Sequence, residues 1–168
     1  MAITMYSGSV PVFTQLLPAL SGSLDKAQAF AESRKYDPNL LLQLRLAPDM
    51  FPLGRQVQQA TAHALAPGRI AGAQIPDLKE CASIADLKAR IATTVDFLKG
   101  LSASAIDGKE ESSVTVKLGP NDRTFKAWVL LYHHALPNFY FHSTTAYDIL
   151  RHYGVELGKR DFMGQMPG

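Results

Sequence analysis

HALPNFYFHSTTAYDILRHYG, residues 134–154, predicts the last long helix of this chain. His134, Asn138 and His142 follow one another at steps of four, so they share one face of a helix. Gly154 is a natural residue to follow the helix end, because glycine adopts the left-handed conformation that terminates many helices. The segment therefore predicts a helix that runs to about residue 153 and carries a polar face in its first half.

Three earlier segments have apolar residues at steps of three and four, which is the spacing of a buried helix face. They span residues 11–34, 52–68 and 83–100. Ser83, with Asp86 three residues later, resembles a capping box at the start of the third segment. Together with the last helix, these segments predict an all-α bundle of four long helices.

Residues 112–126 have a different period. Val114, Val116 and Leu118 alternate with polar residues, and a Gly-Pro-Asn-Asp turn follows them. Strict alternation on both sides of such a turn is typical of a β-hairpin. The sequence therefore predicts a small β-hairpin inserted before the last helix.

The composition predicts one globular domain that spans residues 1–168. Hydrophobic residues make up 46% of the chain and charged residues 19%, a balance typical of a protein with a packed core. The tail from about residue 155 is rich in glycine, and we expect it to pack on the surface of the bundle.

Charge and apolar patterning argue against two classes of partner. The formal net charge is only +2, and Lys and Arg form no run, so we expect no nucleic-acid partner. No apolar stretch approaches the roughly 18 to 20 residues needed to cross a bilayer, so we expect no membrane association. The N-terminus lacks the features of a secretory signal, and Cys81 is a single cysteine. These observations favour a cytoplasmic protein.

Two segments resemble one branch of the DinB/YfiT-like metalloenzyme superfamily, a branch labelled only as a domain of unknown function. The segments are APDMFPLGRQVQQA, residues 47–60, and HALPNFYFHSTTAYDILRHYGVELGKRDF, residues 134–162, with the predicted hairpin between them. The resemblance implies a DinB/YfiT-like four-helix bundle, a homo-oligomeric state, and a pocket for a metal at one end of the bundle.

The resemblance also implies a set of positions for metal ligands. Family members that bind a metal use one histidine from the second helix and two histidines four residues apart at the start of the last helix. In this chain His142 matches the second of the paired histidines, whereas Asn138 occupies the position of the first. Gln56 and Gln59 occupy the second-helix positions that match best, and His63 follows about one turn later. We therefore expect no tightly bound metal; a zinc or nickel ion, if present, would use His142, Asn138 and His63.

The sequence supplies five candidates for the lining of a ligand pocket: His142, Asn138, His134, Asp49 and Gln59. A structural reading stands beside this one, in which His142 is a core-edge histidine that bonds to a hydroxyl group. In the same reading Asp49 is the N-cap of the second long helix.

These features leave three functional classes open. The first is a bundle that binds a small molecule, with no reaction assignable. The alternative is a metal-dependent enzyme of the thiol-transferase or hydrolase type with a degenerate histidine site, and the third is a structural oligomer. Whether the protein is an enzyme stays open. The aromatic run Phe139–Phe141 spreads around the last helix, and with the resemblance it predicts a homodimer.

Overall fold

The computed structural model describes residues 2–166 and is mostly helical. The α-helices are α1 (Val10–Ser33), α2 (Leu53–Ala64), α3 (Ala66–Ala71), α4 (Ile84–Lys99), α5 (Ala127–Val129), α6 (Leu136–His152) and α7 (Lys159–Met163). Short 3₁₀ helices span Pro38–Gln43 and Ala103–Ala105. The strands are β1 (Ser113–Leu118) and β2 (Asn121–Lys126), and a π-helical turn spans Leu130–Ala135. The ends of the predicted domain, residue 1 and residues 167–168, lie outside the described residues.

The long helices pack around one apolar core. Helix α2 packs along α6 and α4, and α4 also packs against α1. Phe13 of α1 meets Phe139 of α6 edge to face at the centre, with 4.8 Å between the ring centroids. Both aromatic side chains are fully buried. The core therefore holds the N-terminal half of α6 in place, which fixes the positions of the polar groups on that helix.

The prediction of a helical fold with one hairpin is confirmed, although the helical part is more divided than expected. The four predicted long helices correspond to α1, α2, α4 and α6, and the structure adds the short helices α3, α5 and α7. The segment predicted over residues 52–68 is split because Pro67 cannot continue the hydrogen-bonding of α2, which ends at Ala64. None of the described helices has an apolar stretch long enough to span a membrane.

Two of the predicted helix boundaries have different outcomes. The Ser83 hydroxyl accepts a hydrogen bond from the Asp86 amide at 3.0 Å, and the Asp86 carboxylate accepts one from the Ser83 amide at 3.0 Å. The capping box of α4 is therefore confirmed. The N-cap role of Asp49 is wrong, because α2 begins at Leu53 with Pro52 before it, three residues too late for the Asp49 side chain to cap it.

The predicted hairpin is confirmed. Strands β1 and β2 pair antiparallel, with Val114 opposite Phe125 and Val116 opposite Arg123. Val116 is buried, whereas its neighbours Thr115 and Lys117 are exposed, as the alternation in the sequence predicts. The apolar face of the hairpin therefore turns towards the helices.

A π-helical turn precedes Pro137 at the start of α6. The amide of Leu136 donates to the carbonyl of Leu131, five residues back, which is the wide spacing of a π-helix. Proline has no amide hydrogen and its ring displaces the preceding turn, so a wider turn accommodates it. The helical pitch thus changes at Pro137 without ending the helix, and α6 continues to His152.

The C-terminal tail packs on α1. Gly154 ends α6 with a φ of 93°, a backbone conformation that favours glycine. Helix α7 then lies against α1, where the Gln15 side-chain amide donates to the carbonyl of Met163 at 2.8 Å. An ion pair of 2.7 Å between Lys26 and Asp161 adds a second link.

Candidate functional site

A cavity of about 650 Å³ lies between α2, α3, the hairpin, the π-helical turn and the start of α6. Its apolar lining includes Phe51, Val116, Leu118 and Leu130, together with three alanines. Its polar lining is dominated by imidazole and amide side chains, which are His63, His134, His142, Gln59 and Asn138. Three of the five histidines of the chain therefore meet in one cavity.

His142 lies at the buried side of this cavity and is held by Gln56. The His142 Nδ1 and the Gln56 Oε1 are 2.7 Å apart, so Nδ1 carries the hydrogen and donates it to the amide oxygen. The Gln56 Nε2 donates in turn to the carbonyl of Phe51 at 3.0 Å, which orients the amide. This chain fixes the tautomer of His142 and leaves its Nε2 as an acceptor.

His63 connects the other two histidines. Its ring stacks on that of His142, with 5.6 Å between the centroids and 11° between the planes. It meets the ring of His134 edge to face, with the centroids 5.2 Å apart. His63 comes from α2 and His142 from α6, so the close packing of these two helices assembles the group.

The π-helical turn and the hairpin position His134. The Phe125 ring of β2 stacks on the His134 ring at 5.9 Å, with 14° between the planes. The Asn138 side-chain amide donates to the backbone carbonyl of His134 at 2.7 Å. The Asn138 side chain therefore satisfies a backbone carbonyl of the π-helical turn that precedes Pro137.

The environment shifts all three imidazoles towards the neutral form. The pKa of His63 is lowered to about 4, chiefly by burial and then by the neighbouring His134, His142 and Arg69, in that order. Burial also lowers the pKa of His134 and of His142, and the positive charge of Arg55 adds to the effect on His142. A neutral imidazole presents one donor and one acceptor, so the cavity offers both kinds of hydrogen bond to a ligand.

The structure brings most of the predicted site residues together. His142, Asn138, His134 and Gln59 all line the cavity, and so does His63. Asp49 does not line it and is exposed in the loop before α2. The hydroxyl partner expected for His142 in the structural reading is wrong, because the partner is the Gln56 amide.

Sequence reasoning missed the cationic side chains of the cavity, which are Arg55, Arg69 and Lys117. A signal for one of them was present, because Arg55, Gln59 and His63 follow at steps of four along α2. Arg69 lies on α3, beyond the break at Leu65, and Lys117 lies on the hairpin, so no helical spacing could associate either with this face.

The three histidines have the donor chemistry of a metal site, since neutral imidazoles ligate zinc and nickel. Gln56 supplies the kind of second partner that orients a ligating histidine. The ring orientations are a poorer fit, because the parallel rings of His63 and His142 do not direct their nitrogens to one point. Among residues 2–166, no group of three or more His, Cys, Asp or Glu side chains has an arrangement that could hold a metal ion.

Comparisons with known proteins agree with this fold. The model of a family described as "Domain of unknown function (DUF1993)" matches residues 5–163. A solved structure, the crystal structure of a DinB family member protein from Shewanella denitrificans, superposes with a TM-score of 0.83 at 38% sequence identity. The similarity covers 97% of this chain and 93% of that one. A search of curated proteins found no match.

The match to the family model covers nearly the whole chain, from before α1 to the end of α7. The solved structure is similar over the same extent and shares more than a third of its residues with this chain. The chain therefore belongs to the DUF1993 family, and it is a DinB-like protein of unknown function.

Proposed function

We propose that this protein binds a small molecule in the cavity between α2, the hairpin and α6. The observation that carries the proposal is the cavity of about 650 Å³ in which His63, His134 and His142 meet. Binding sites for small molecules are concave, mostly apolar and supplied with a few converging polar groups, and their volumes are typically about 300 to 1,000 Å³. We infer that α1, α2, α4 and α6 form a four-helix bundle with this cavity at one end.

The hydrogen-bonding of the histidines supports the proposal. The Nδ1 of His142 is occupied by Gln56, but its Nε2 has no hydrogen-bond partner among the described residues. His63 makes no side-chain hydrogen bond within the same residues, although it lies half-buried in the cavity wall. Ring nitrogens that line the cavity with spare hydrogen-bonding capacity can bond to a polar ligand that replaces water there.

Filling the cavity tests the proposal. Ala62 lies half-buried in the lining, so Ala62→Phe places a ring in the space of the ligand without disturbing the core. A library of small metabolites is screened by thermal unfolding on the wild type and on Ala62→Phe. A ligand at about a hundredfold its Kd stabilises the native state by roughly 2.7 kcal/mol.

We expect compounds that raise the Tm of the wild type and fail to raise that of Ala62→Phe. The matched control is Ala29→Phe, which places a ring on an exposed part of α1, away from the cavity. Equal stabilisation of the wild type and of Ala62→Phe by every active compound would contradict the proposal.

A metal-dependent enzyme of the thiol-transferase or hydrolase type is the second candidate function. The observation that favours it is the approach of three neutral imidazoles, with ring centroids 5.2 Å and 5.6 Å apart. His63, His134 and His142 would hold the ion after a rotation of at least one ring. A bound zinc or nickel ion would supply a Lewis acid with an open coordination position.

Elemental analysis of protein purified without a histidine tag tests the second candidate. We expect no stoichiometric transition metal, because the paired-histidine position of the family carries Asn138 and the second-helix position carries glutamine. We also expect no change of metal content in His142→Ala. Near-stoichiometric zinc, nickel or manganese that disappears in His63→Gln would instead establish the metal site.

A further inference from the structure

The charged residues of the cavity lining are all positive. Arg55 comes from α2, Arg69 from α3 and Lys117 from β1, whereas the described lining contains no aspartate or glutamate. The side chains of all three cations are exposed, so they lie at the mouth of the cavity and the histidines lie further in. Three separate elements therefore contribute positive charges to the mouth of the cavity.

These cations are not neutralised by the protein. The ion pairs within residues 2–166 are Lys26–Asp161, Lys88–Asp25 and Lys126–Glu111, and none of them includes a charged residue of the cavity. A cleft lined by charges of one sign concentrates ions of the opposite sign, because its low-dielectric walls focus the field. The mouth therefore attracts an anion from solution.

The two arginines reach the cavity from different helices. Arg55 lies on α2 and its charge reaches His142, whereas Arg69 lies on α3, beyond the break at Leu65. The Arg55 guanidinium carbon lies 5.6 Å from the centroid of the Phe51 ring, next to a flat apolar surface. The charge of Arg69 reaches His63 and contributes to the lowered pKa of that imidazole.

Apolar groups line the same cavity as these charges. The lining includes Val116 and Leu118 of the hairpin, Leu130, and the alanines of α2 and α3. A ligand that fits must therefore combine an acidic group with an apolar body. Arginine is suited to the acidic group because its planar fork matches carboxylate and phosphate oxygens with two parallel hydrogen bonds.

We propose that the cavity binds a small organic anion, with its acidic group at the arginines of the mouth and its apolar body between Phe51 and the hairpin. This proposal rests on the proposed function, since it names the class of molecule that the same cavity takes. The shared chemistry is an oxyanion on an apolar body, and both carboxylic acids and phosphate esters provide it.

Two dyes with the same aromatic body test the proposal. They are 8-anilinonaphthalene-1-sulfonate, which is an anion, and N-phenyl-1-naphthylamine, which lacks the sulfonate and is neutral. Fluorescence titrations at pH 7 give the Kd of each dye for the wild type. We expect the anionic dye to bind at least tenfold more tightly.

Charge-removing variants locate the effect. Arg55→Gln and Arg69→Gln should each weaken binding of the anionic dye roughly threefold or more, which corresponds to the loss of one partly exposed ion pair. Neither variant should change the binding of the neutral dye. The control is Arg151→Gln on an exposed position near the end of α6, away from the cavity, and it should change neither dye.

Competition experiments then distinguish the two sources of an oxyanion. Benzoate and phenyl phosphate are each titrated against the bound anionic dye. Displacement by benzoate assigns the site to carboxylic acids, displacement by phenyl phosphate assigns it to phosphate esters, and displacement by neither at millimolar concentration counts against the proposal.

The outcomes separate the two proposals. The anion proposal would be overturned if the wild type bound both dyes with equal affinity. It would also be overturned if neither arginine substitution weakened binding of the anionic dye. The proposed function would still stand if Ala62→Phe abolished binding of both dyes. Binding of both dyes that survives Ala62→Phe would overturn the proposed function itself.

Discussion

The hydrogen bond between His142 and Gln56 provides the sharpest test of the site geometry. Both side chains are buried, with 7% and 1% of their surfaces exposed, and the His142 Nδ1 lies 2.7 Å from the Gln56 Oε1. His142→Ala removes the donor and leaves the amide oxygen without a partner. An orphaned buried acceptor costs roughly 1 to 3 kcal/mol.

The lost packing of the imidazole adds a smaller contribution, because one side of the ring already faces the cavity. We therefore expect His142→Ala to lower the free energy of unfolding by roughly 2 to 3 kcal/mol. Gln56→Met removes the acceptor at similar volume. In the double variant no orphaned oxygen remains, so its cost should fall short of the sum of the single costs by roughly 1 to 1.5 kcal/mol.

The assay is urea unfolding of the four proteins at one protein concentration, followed by far-ultraviolet circular dichroism. The matched control is His152→Ala, which removes an exposed histidine from the last turn of the same helix and should cost less than about 0.5 kcal/mol. If the cost of the double variant equals the sum of the two single costs to within about 0.5 kcal/mol, the hydrogen bond is refuted.

Three further predictions concern pH, glycine positions and assembly. The folded pKa of His63, about 4, lies below the unfolded value of 6.5, so the unfolded state binds more protons between these values and stability falls as the pH falls through that window. The full pKa shift corresponds to roughly 3 kcal/mol in the free energy of unfolding, and we expect about half of that because the ring is partly exposed. The variant His63→Gln should therefore show a flatter dependence of the urea midpoint on pH. Gly22→Ala meets open space in α1 and should stabilise by roughly 0.5 to 1 kcal/mol, whereas Gly68→Ala would collide with the Phe97 ring and should destabilise by roughly 1 kcal/mol, both measured as shifts in Tm. Phe141 is 53% exposed on α6 and is available for a two-fold contact, so sedimentation at micromolar concentration should give twice 18.3 kDa; a mass of 18.3 kDa would contradict the homodimer.

Much of the helical framework was predictable because it depends on local patterns. The alternation of Val114, Val116 and Leu118 predicted the hairpin, and Ser83 with Asp86 predicted the start of α4. These signals depend on hydrogen bonds and side-chain periods within a few residues. The N-cap prediction for Asp49 failed because Pro52 precedes the first residue of α2, Leu53, so the helix begins later than Asp49 suggested.

The candidate site was only partly predictable because it is assembled from distant segments. His134, Asn138 and His142 share a helix face, and their spacing alone placed them together. His63 joins them only because α2 packs along α6, which no local pattern specifies. The Gln56 partner of His142 and the cationic mouth also arise from contacts between elements, so they needed the folded chain.

The histidine rings themselves give the most direct test of small-molecule binding in the cavity. The chain has five histidines, of which His63, His134 and His142 line the cavity, whereas His133 and His152 do not. A long-range proton–nitrogen NMR spectrum of protein without a histidine tag resolves each ring and is recorded during titration with 8-anilinonaphthalene-1-sulfonate. We expect the chemical shifts of the three cavity rings to change and those of the other two rings to stay the same. Saturating dye that leaves all three cavity rings unchanged would contradict that expectation.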